Sequence, residues 1–356
     1  MACRCRLNYF CIKSEAMKVV AYSIQAFEKE FLIKANQKKH DITLISNPLT
    51  QETVGFAEGK DAVVVFTNDD VSQGIIEKLA GFGVRFIATR SVGTDHIDKP
   101  AAAAHGLKVA NVPMYSPEAI AEHTVALTLA LSRHLTVANR HSHEFNFRLD
   151  GLVGFNLHGK TVGIIGLGHI GLITAKLFKA FGCRVLGYDV ESVTDTAVEL
   201  VTLDELLMQS DIVSLHAPLA DETRHLINDA TIALMRDGVM LINTSRGGLI
   251  DTVHVYEALC NGKIGYLGLD VYEYEKGLFF GNHEHDAHKD ALLTKLMSHP
   301  NVLVTPHQAF LTREALQEIA AKTITNLDLW QQEKCVGDAC VCAKNCRVMA
   351  KDILKG

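Results

Sequence analysis

A glycine-rich turn between an apolar strand and a helix restricts the fold of this chain more than any other feature. The run GLGHIG, with Gly166, Gly168 and Gly171, follows the apolar segment Thr161–Ile165 and precedes a helical pattern over 172–181. The first glycine permits a tight turn, the second lets the backbone approach a pyrophosphate, and the third lets the helix pack on the strand. Glycines gather at other sharp turns too, but this context predicts a dinucleotide-binding unit, with phosphates at the helix N-terminus.

An acidic residue at the end of the next predicted strand narrows the choice of dinucleotide. Asp189 closes the segment RVLGYD. A carboxylate at this point accepts hydrogen bonds from the adenosine ribose hydroxyls and repels a 2′-phosphate. The sequence therefore predicts NAD as the cofactor, with contacts from Gly166, Gly168, His169, Ile170, Gly171 and Asp189.

Apolar, β-branched runs alternate with helical patterns along almost the whole chain. The first series of predicted strands covers 19–22, 42–45, 62–66, 86–89 and 109–111. The second series comprises six strands, in TVGII, RVLGYD, DIVSLHAPL, VMLINTS, GYLGLDV and NVLVTPH. Such alternation is typical of parallel sheets covered by helices. We expect an α/β protein with two doubly wound parallel-sheet domains.

Two long helical patterns indicate how these domains are connected. The pattern over 116–135 has Pro117 and Glu118 in its first turn, as helix starts often do. The pattern over 312–330 is expected to return the chain to its first domain. A Rossmann NAD-binding domain (116–311) is then inserted into a discontinuous, flavodoxin-like substrate domain (17–115 and 312–334). Residues 1–16 are predicted to be a disordered extension, and 335–356 a Cys-rich tail.

Composition excludes several functional classes. The chain has 356 residues, 48% hydrophobic and 21% charged, as expected for a soluble globular protein. The net charge is −6 with no basic stripe, so we expect no nucleic-acid partner. Apolar runs such as 62–66 are too short to span a membrane. Residues 1–16 lack the continuous apolar core of a secretory signal, and we expect a cytoplasmic location. Because this segment has no acidic residue before Glu15, a transit peptide is the alternative.

Nine cysteines fall into an internal and a terminal set. Cys183 and Cys260 lie in apolar segments and are predicted to be small buried hydrophobic residues. The tail spacing C-x4-C-x-C-x3-C does not match the paired C-x2-C pattern of zinc sites. We therefore predict free, solvent-exposed thiols and no metal, with a metal or redox site as the alternative; the tail cysteines are Cys335, Cys340, Cys342 and Cys346.

Three polar residues follow strands of the second series at the edge where open α/β sheets bind ligands. Arg246 follows VMLINTS, Glu275 follows GYLGLDV, and His307 follows NVLVTP. An Arg can bind a carboxylate bidentately, and a His can exchange a proton near neutral pH. A Glu beside that His favours the imidazolium. Each residue alone could be structural, but their shared position beside a cofactor motif predicts reduction of a 2-keto acid.

Four segments resemble the D-2-hydroxyacid dehydrogenase family in order and spacing: GLGHIG, LINTSRGGLID, GLDVYEYE and NVLVTPHQAF. The resemblance extends from Met17 to about Trp330. It implies that Arg246 binds substrate, that Glu275 orients His307, and that His307 is the acid/base. It further implies a carboxylate-binding backbone at Val92 and Gly93. The NAD contacts that it implies are Ala217, Pro218, Thr223, Thr244, Ser245 and Asp270.

Departures from the common family pattern favour a small substrate. Many members have Pro after the catalytic Glu and Gly residues shortly after the catalytic His, where this chain has Lys276 and Phe310. A Phe removes volume from the site and adds an apolar wall. Together with Tyr115, which matches a substrate-contacting Tyr, these features look like fermentative D-lactate dehydrogenases. Phe66 is a candidate second wall, with an ordinary core Phe as the alternative.

We therefore expect reduction of pyruvate to D-lactate with NADH, in a homodimer or homotetramer without membrane attachment. The nearest alternative is the same chemistry on a larger, branched or aromatic 2-keto acid. A more distant alternative is an NAD-sensing interaction protein, because relatives of this family act as transcriptional corepressors. The intact set of Arg246, Glu275 and His307 favours an enzyme.

Overall fold

The computed structural model describes residues 16–342 except 192, 194 and 196, and the chain divides into two units. Unit 1 comprises Met1–Tyr115 and Leu316–Gly356, and unit 2 comprises Ser116–Ala315. The predicted N-terminal extension, apart from its last residue, lies outside the described residues, as does the tail beyond Cys342.

Unit 1 is built on a five-stranded sheet in which every strand pair is parallel. The strands are β1 (Lys18–Ala21), β2 (Asp41–Leu44), β3 (Ala62–Val65), β4 (Phe86–Thr89) and β5 (Lys108–Ala110). The helices between them are α1 (Ala26–Asn36), α2 (Gln73–Gly81) and α3 (Lys99–Ala104). The strand order β2-β1-β3-β4-β5 is that of flavodoxin-like folds, which confirms the predicted fold class. β3 and β4 are buried throughout, because apolar clusters cover both faces of the sheet.

Unit 2 is built on a seven-stranded parallel sheet with the order β12-β11-β10-β9-β6-β7-β8. The strands are β6 (Thr161–Ile165), β7 (Arg184–Tyr188), β8 (Glu199–Leu200), β9 (Ile212–Leu215), β10 (Val239–Asn243), β11 (Ile264–Leu269) and β12 (Val302–Val304). The six strands from β8 to β11 follow the order of the predicted Rossmann unit, and β12 adds a seventh strand next to β11. The edge strand β8 was not predicted, because it has only two residues, both exposed.

Seven helices accompany this sheet within the described residues. They are α4 (Pro117–Ser132), α5 (Leu135–His143), α6 (His169–Ala180), α7 (Leu203–Gln209), α8 (Asp229–Leu234), α9 (Thr252–Cys260) and α10 (Ala291–Ser298). α4 begins as predicted: the Ser116 hydroxyl accepts from the N–H of Ala119, and Pro117 occupies the first turn. The predicted pattern over 116–135 breaks at His134, whose φ of +49° is left-handed, so α5 is a separate helix.

The last helix, α11 (Arg313–Gln331), contributes to the core of unit 1. Ile324, Leu327 and Trp330 are buried there, and Trp330 stacks on Phe86 with 4.8 Å between ring centroids. An apolar stripe on α11 therefore covers one face of the sheet although it lies more than 200 positions from the strands it covers, which fits a discontinuous domain.

The described part of the tail pairs with β5 instead of extending into solvent. The N–H of Asn111 donates to the Ala339 carbonyl at 3.0 Å, and the N–H of Val341 donates to the Val109 carbonyl at 3.1 Å. Cys340 is buried and Cys342 half-buried, so the prediction of solvent-exposed thiols is wrong for these two residues, whereas Cys335 is exposed. β5 is one of the two edge strands of the sheet, and its outer backbone groups bind the returning chain.

Three further observations concern the internal cysteines, membrane-spanning helices and metal sites. Cys183 is buried as predicted, but the prediction for Cys260 is wrong, since this last residue of α9 is exposed. Within the range that the structure describes, no helix combines the length and apolarity needed to cross a bilayer. The same residues contain no group of three or more His, Cys, Asp or Glu side chains arranged to hold a metal ion.

Candidate active site

The glycine turn has the geometry that its three predicted roles require. Gly166 has a φ of +94°, and a Cβ there would lie 2.6 Å from the Ala217 nitrogen. A Cβ on Gly171 would lie 1.9 Å from the Gly166 carbonyl oxygen, so α6 packs directly on the turn. Gly168 caps α6, and a Cβ there would meet nothing within 4 Å. The middle glycine thus leaves open space at a helix N-terminus, where a pyrophosphate can bind.

Asp189 stands beside this turn in a fixed position. Its carboxylate accepts from the N–H of Leu167 at 2.6 Å and from the N–H of Glu191 at 3.0 Å. The first of these bonds ties the end of β7 to the glycine turn itself. An open helix N-terminus with an adjacent carboxylate fits NAD, whose pyrophosphate and ribose need these two features.

The loops after β9 and β10 carry most of the other predicted NAD contacts. The Ser245 hydroxyl donates to the Ala217 carbonyl at 2.7 Å and links the two loops. The Thr223 hydroxyl donates to the Pro218 carbonyl at 2.6 Å and closes the first of them. Thr244 shares a 2.8 Å hydrogen bond with Thr124 of α4. These residues therefore lie at the carboxyl edge of the sheet, on the same edge as the glycine turn.

The structure pairs His307, the predicted acid/base, with Glu275, which was predicted to orient it. His307 Nδ1 lies 3.0 Å from Glu275 Oε1, and the other Glu275 oxygen accepts from the N–H of Tyr272 at 3.0 Å. Both side chains are partly exposed, with accessible fractions of 17% and 26%. Because Glu275 engages Nδ1, Nε2 is the nitrogen through which His307 can exchange a proton with a substrate.

Aromatic rings flank His307, and its backbone is strained. The Phe280 ring lies 5.7 Å from the imidazole, and the Phe310 ring lies 6.5 Å away, nearly perpendicular. His307 has a φ of +54°, a left-handed conformation that costs a non-glycine residue roughly 1–3 kcal/mol. Such strain persists only where surrounding contacts enforce it, and it is typical of functional sites. Phe280 was not identified from the sequence, because an apolar residue in a loop carries no specific signal.

Asp270 shows how this conformation is enforced. The resemblance placed Asp270 among the NAD contacts, but its fully buried carboxylate accepts from the hydroxyl of Thr305 and the N–H groups of Gln308 and Ala309. The carboxylate therefore holds the loop on both sides of His307. Contact between Asp270 and NAD remains a prediction.

Arg246 lies directly after β10, next to the segment that leads to Glu275. Its Nη1 donates to the Ser245 carbonyl at 2.8 Å. The following residue, Gly247, approaches Tyr272 so closely that a Cβ would lie 2.2 Å from the Tyr272 carbonyl carbon. The backbone of the Arg246 loop thus packs against the turn that positions Glu275, and both belong to the carboxyl edge of unit 2.

The other predicted substrate residues belong to unit 1. The carbonyl of Val92 accepts from the Asn111 amide and that of Gly93 from the Ser91 hydroxyl, each at 2.7 Å, so this loop is held in one conformation. Phe66 is only 3% exposed and packs against the guanidinium of Arg90 at 5.3 Å, as a core residue does. Tyr115, the last residue of the first segment of unit 1, is half-buried. Substrate contacts of these residues remain predictions.

Comparison with known proteins gives consistent matches. Residues 125–309 match the family model described as D-isomer specific 2-hydroxyacid dehydrogenase, NAD binding domain. A D-lactate dehydrogenase of Curvularia clavata is 46% identical over 336 residues, 92% of this chain and 97% of that protein. The D-lactate dehydrogenase of Escherichia coli is 42% identical over 324 residues, 90% and 98% of the two chains.

Solved structures agree with these sequence relatives. The pyruvate reductase of Chlamydomonas reinhardtii superposes with a TM-score of 0.85 at 44% identity, covering 91% of this chain and 98% of that one. D-lactate dehydrogenase from Aquifex aeolicus, solved with NAD and lactic acid, gives a TM-score of 0.80 at 34% identity, covering 88% and 96%.

Proposed function

The chain belongs to the D-isomer-specific 2-hydroxyacid dehydrogenase family, an NAD-dependent family of oxidoreductases, and on this premise we propose that it reduces pyruvate to D-lactate. The observation that carries the proposal is His307, paired with Glu275 through Nδ1 and flanked by Phe280 and Phe310. The pair supplies a proton donor, and the rings limit the room beside it. D-lactate dehydrogenases and a pyruvate reductase among the similar proteins support the same substrate.

In this proposal each residue of the site has one chemical role. NADH, when bound against Gly168 and Asp189, supplies the hydride. Arg246 binds the substrate carboxylate through two parallel N–H donors, which orients the 2-keto group. His307 gives its Nε2 proton to the carbonyl oxygen, which becomes the hydroxyl of the product. The Glu275 carboxylate stabilises the imidazolium before that transfer and holds the ring in its orientation.

Substrate size depends on Phe310 in this proposal. Its ring stands beside the His307 imidazole, so a long 2-keto acid side chain has to displace it. A steric wall discriminates mainly by excluding what does not fit. The alternative, a larger 2-keto acid, is supported by an aromatic 2-oxoacid reductase of Clostridium sporogenes that is 39% identical over 315 residues.

One set of assays tests substrate and cofactor together. We expect the highest kcat/KM for pyruvate, a lower value for phenylpyruvate and ketoisocaproate, and a strong preference for NADH over NADPH because of Asp189. Phe310→Ala should shift activity toward the longer acids by about tenfold or more. Phe155→Ala is the matched control, since Phe155 packs on Tyr266 and not on His307.

The outcomes separate the alternatives. If the parent enzyme prefers ketoisocaproate or phenylpyruvate, that acid replaces pyruvate as the proposed substrate. The fold and the proposed mechanism stay the same. Binding of NADH without turnover of any 2-keto acid would favour the NAD-sensing interaction protein. Equal efficiencies with NADH and NADPH would contradict the role of Asp189.

A second copy of the chain is the protein partner we propose. An apolar strip follows α5, with Phe145, Phe147, Leu149 and Val153 between 69% and 87% exposed. Contiguous apolar surface of this kind marks interaction sites. Arg148 and Asp150 lie in the same strip and can pair across a two-fold axis. Light scattering should give a mass of at least two chains, and Phe145→Ser with Phe147→Ser should give one. The cytoplasmic location stays a prediction.

A further inference from the structure

A chain of hydrogen bonds connects α4 to the loop of His307. Asp270, fully buried after β11, accepts from the Thr305 hydroxyl at 2.6 Å and from the N–H groups of Gln308 and Ala309 at 2.8 Å. Behind Thr305 lies His123 of α4, whose Nε2 is 3.0 Å from the Thr305 hydroxyl oxygen and 3.4 Å from Asp270 Oδ1. The five contacts form one network, and the residue at its centre is Asp270, whose carboxylate holds the strained backbone of His307.

The donors in this network can be assigned from their chemistry. A carboxylate only accepts, and a hydroxyl has a single proton to donate. The Thr305 proton goes to Asp270, because that contact is the shortest of those Thr305 makes. Its oxygen must then accept from His123, so Nε2 of His123 carries a proton. His123 is thereby the donor that orients Thr305 toward Asp270.

We propose that His123 is a positioning residue for His307, acting through Thr305 and Asp270. The inference rests on the proposed role of His307 as proton donor. A buried carboxylate is stable only when hydrogen bonds satisfy its oxygens. Without the His123 donor, the Thr305 hydroxyl loses the partner that orients it, and Asp270 holds the loop less firmly. His307 then relaxes from its left-handed conformation, and Nε2 no longer meets the carbonyl oxygen of the substrate.

Paired substitutions distinguish positioning from simple packing. His123→Leu removes the donor, whereas His123→Gln places an amide N–H near the position of Nε2. Thr305→Val removes the hydroxyl at nearly constant shape, and Thr305→Ser retains it. The matched control is Thr128→Val, which deletes a buried hydroxyl of the same helix α4 that donates to the Thr124 carbonyl. Steady-state kinetics with NADH and the preferred 2-keto acid give kcat and KM, and fluorescence gives NADH affinity.

We expect His123→Leu and Thr305→Val to lower kcat at least tenfold, with NADH affinity within about twofold of the parent. His123→Gln and Thr305→Ser should recover most of the loss, and Thr128→Val should behave as the parent does. In a His307→Gln background, adding His123→Leu should cause no further loss, because the residue through which it acts is gone. Unchanged kcat in His123→Leu, no recovery in His123→Gln, or a full further loss in the double variant would each overturn the proposal.

Amide hydrogen exchange tests the same network without any turnover. The N–H groups of Gln308 and Ala309 are protected by Asp270 in the parent, and they should exchange at least tenfold faster in His123→Leu but not in Thr128→Val. If the enzyme reduced no 2-keto acid, the proposed function would be wrong. The exchange rates would still show whether His123 holds the loop of His307. Exchange at parental rates in His123→Leu would refute the network.

Discussion

Unit 2 contains two histidine–glutamate pairs whose glutamates are only two positions apart, in the sequence YEYE. In one pair, His307 Nδ1 lies 3.0 Å from Glu275; in the other, His225 Nε2 lies 2.6 Å from Glu273. The backbone of both histidines is in the left-handed conformation, with φ values of +54° for His307 and +51° for His225. The chemical groups and backbone strain are thus the same, although only the first pair belongs to the predicted catalytic set.

The two pairs differ in burial and in the partners of their ring nitrogens, which indicates different roles. Glu273 is 4% exposed, and its second oxygen accepts from the N–H and hydroxyl of Thr252 at the start of α9. His225 faces a second carboxylate, Asp251, through its other nitrogen at 3.6 Å. Both nitrogens of His225 therefore face protein carboxylates, whereas Glu275 engages only Nδ1 of His307. A histidine–carboxylate pair becomes a proton donor only when one ring nitrogen remains available to the substrate.

The largest effect should separate the two histidines in turnover. His307→Gln removes the proposed proton donor and should lower kcat by two decades or more, while NADH binding is retained. His225→Gln should leave kcat within about threefold of the parent, because the pair it breaks does not touch the reaction. Stopped-flow or steady-state oxidation of NADH measures both variants. Equal losses in the two would show that the pairs are not distinct in function.

A smaller effect should separate the two glutamates in stability. Glu273→Gln replaces a buried oxygen that accepts hydrogen bonds with an NH2 group, which should lower the free energy of unfolding by about 2 kcal/mol. Glu275→Gln changes a partly exposed side chain and should lower it by less than about 1 kcal/mol. Urea unfolding followed by fluorescence gives both values. A larger loss of stability in Glu275→Gln than in Glu273→Gln would show that the His307–Glu275 pair, and not the His225–Glu273 pair, stabilises the fold.

The smallest effect concerns His216, a histidine that pairs with a hydroxyl instead of a carboxylate. His216 lies 2.9 Å from the Ser214 hydroxyl, and desolvation lowers its pKa to about 3. In the unfolded chain its pKa is near 6.5, so below that value the unfolded state binds a proton that the folded state does not. Stability is therefore lost as pH falls, by about 0.7 kcal/mol between pH 7 and pH 6. In His216→Gln, the loss of unfolding free energy between pH 7 and pH 6, measured by urea unfolding, should be smaller by this amount. A loss equal to that of the parent would contradict a neutral His216.

The amino-acid sequence by itself determined the architecture and the sheet edge at which the predicted catalytic residues lie. Strand positions and the Rossmann unit depend on local apolar patterns, and the glycine turn depends on the positive φ of Gly166 and on the missing Cβ of Gly171. The carboxyl ends of parallel strands share one edge, so residues that directly follow strands, such as Arg246 and His307, could be placed there without coordinates.

The partners of the polar side chains were decided only by the tertiary structure. The sequence gives no reason why Thr305, His123 and Asp270 should meet, since α4, β11 and β12 are distant in the chain and their relative rotation depends on packing. Pairing of the tail with β5 is equally non-local, which is why Cys340 could not be recognised as buried. A local pattern specifies which face of an element is apolar, but the three-dimensional arrangement of elements specifies which donors reach which acceptors.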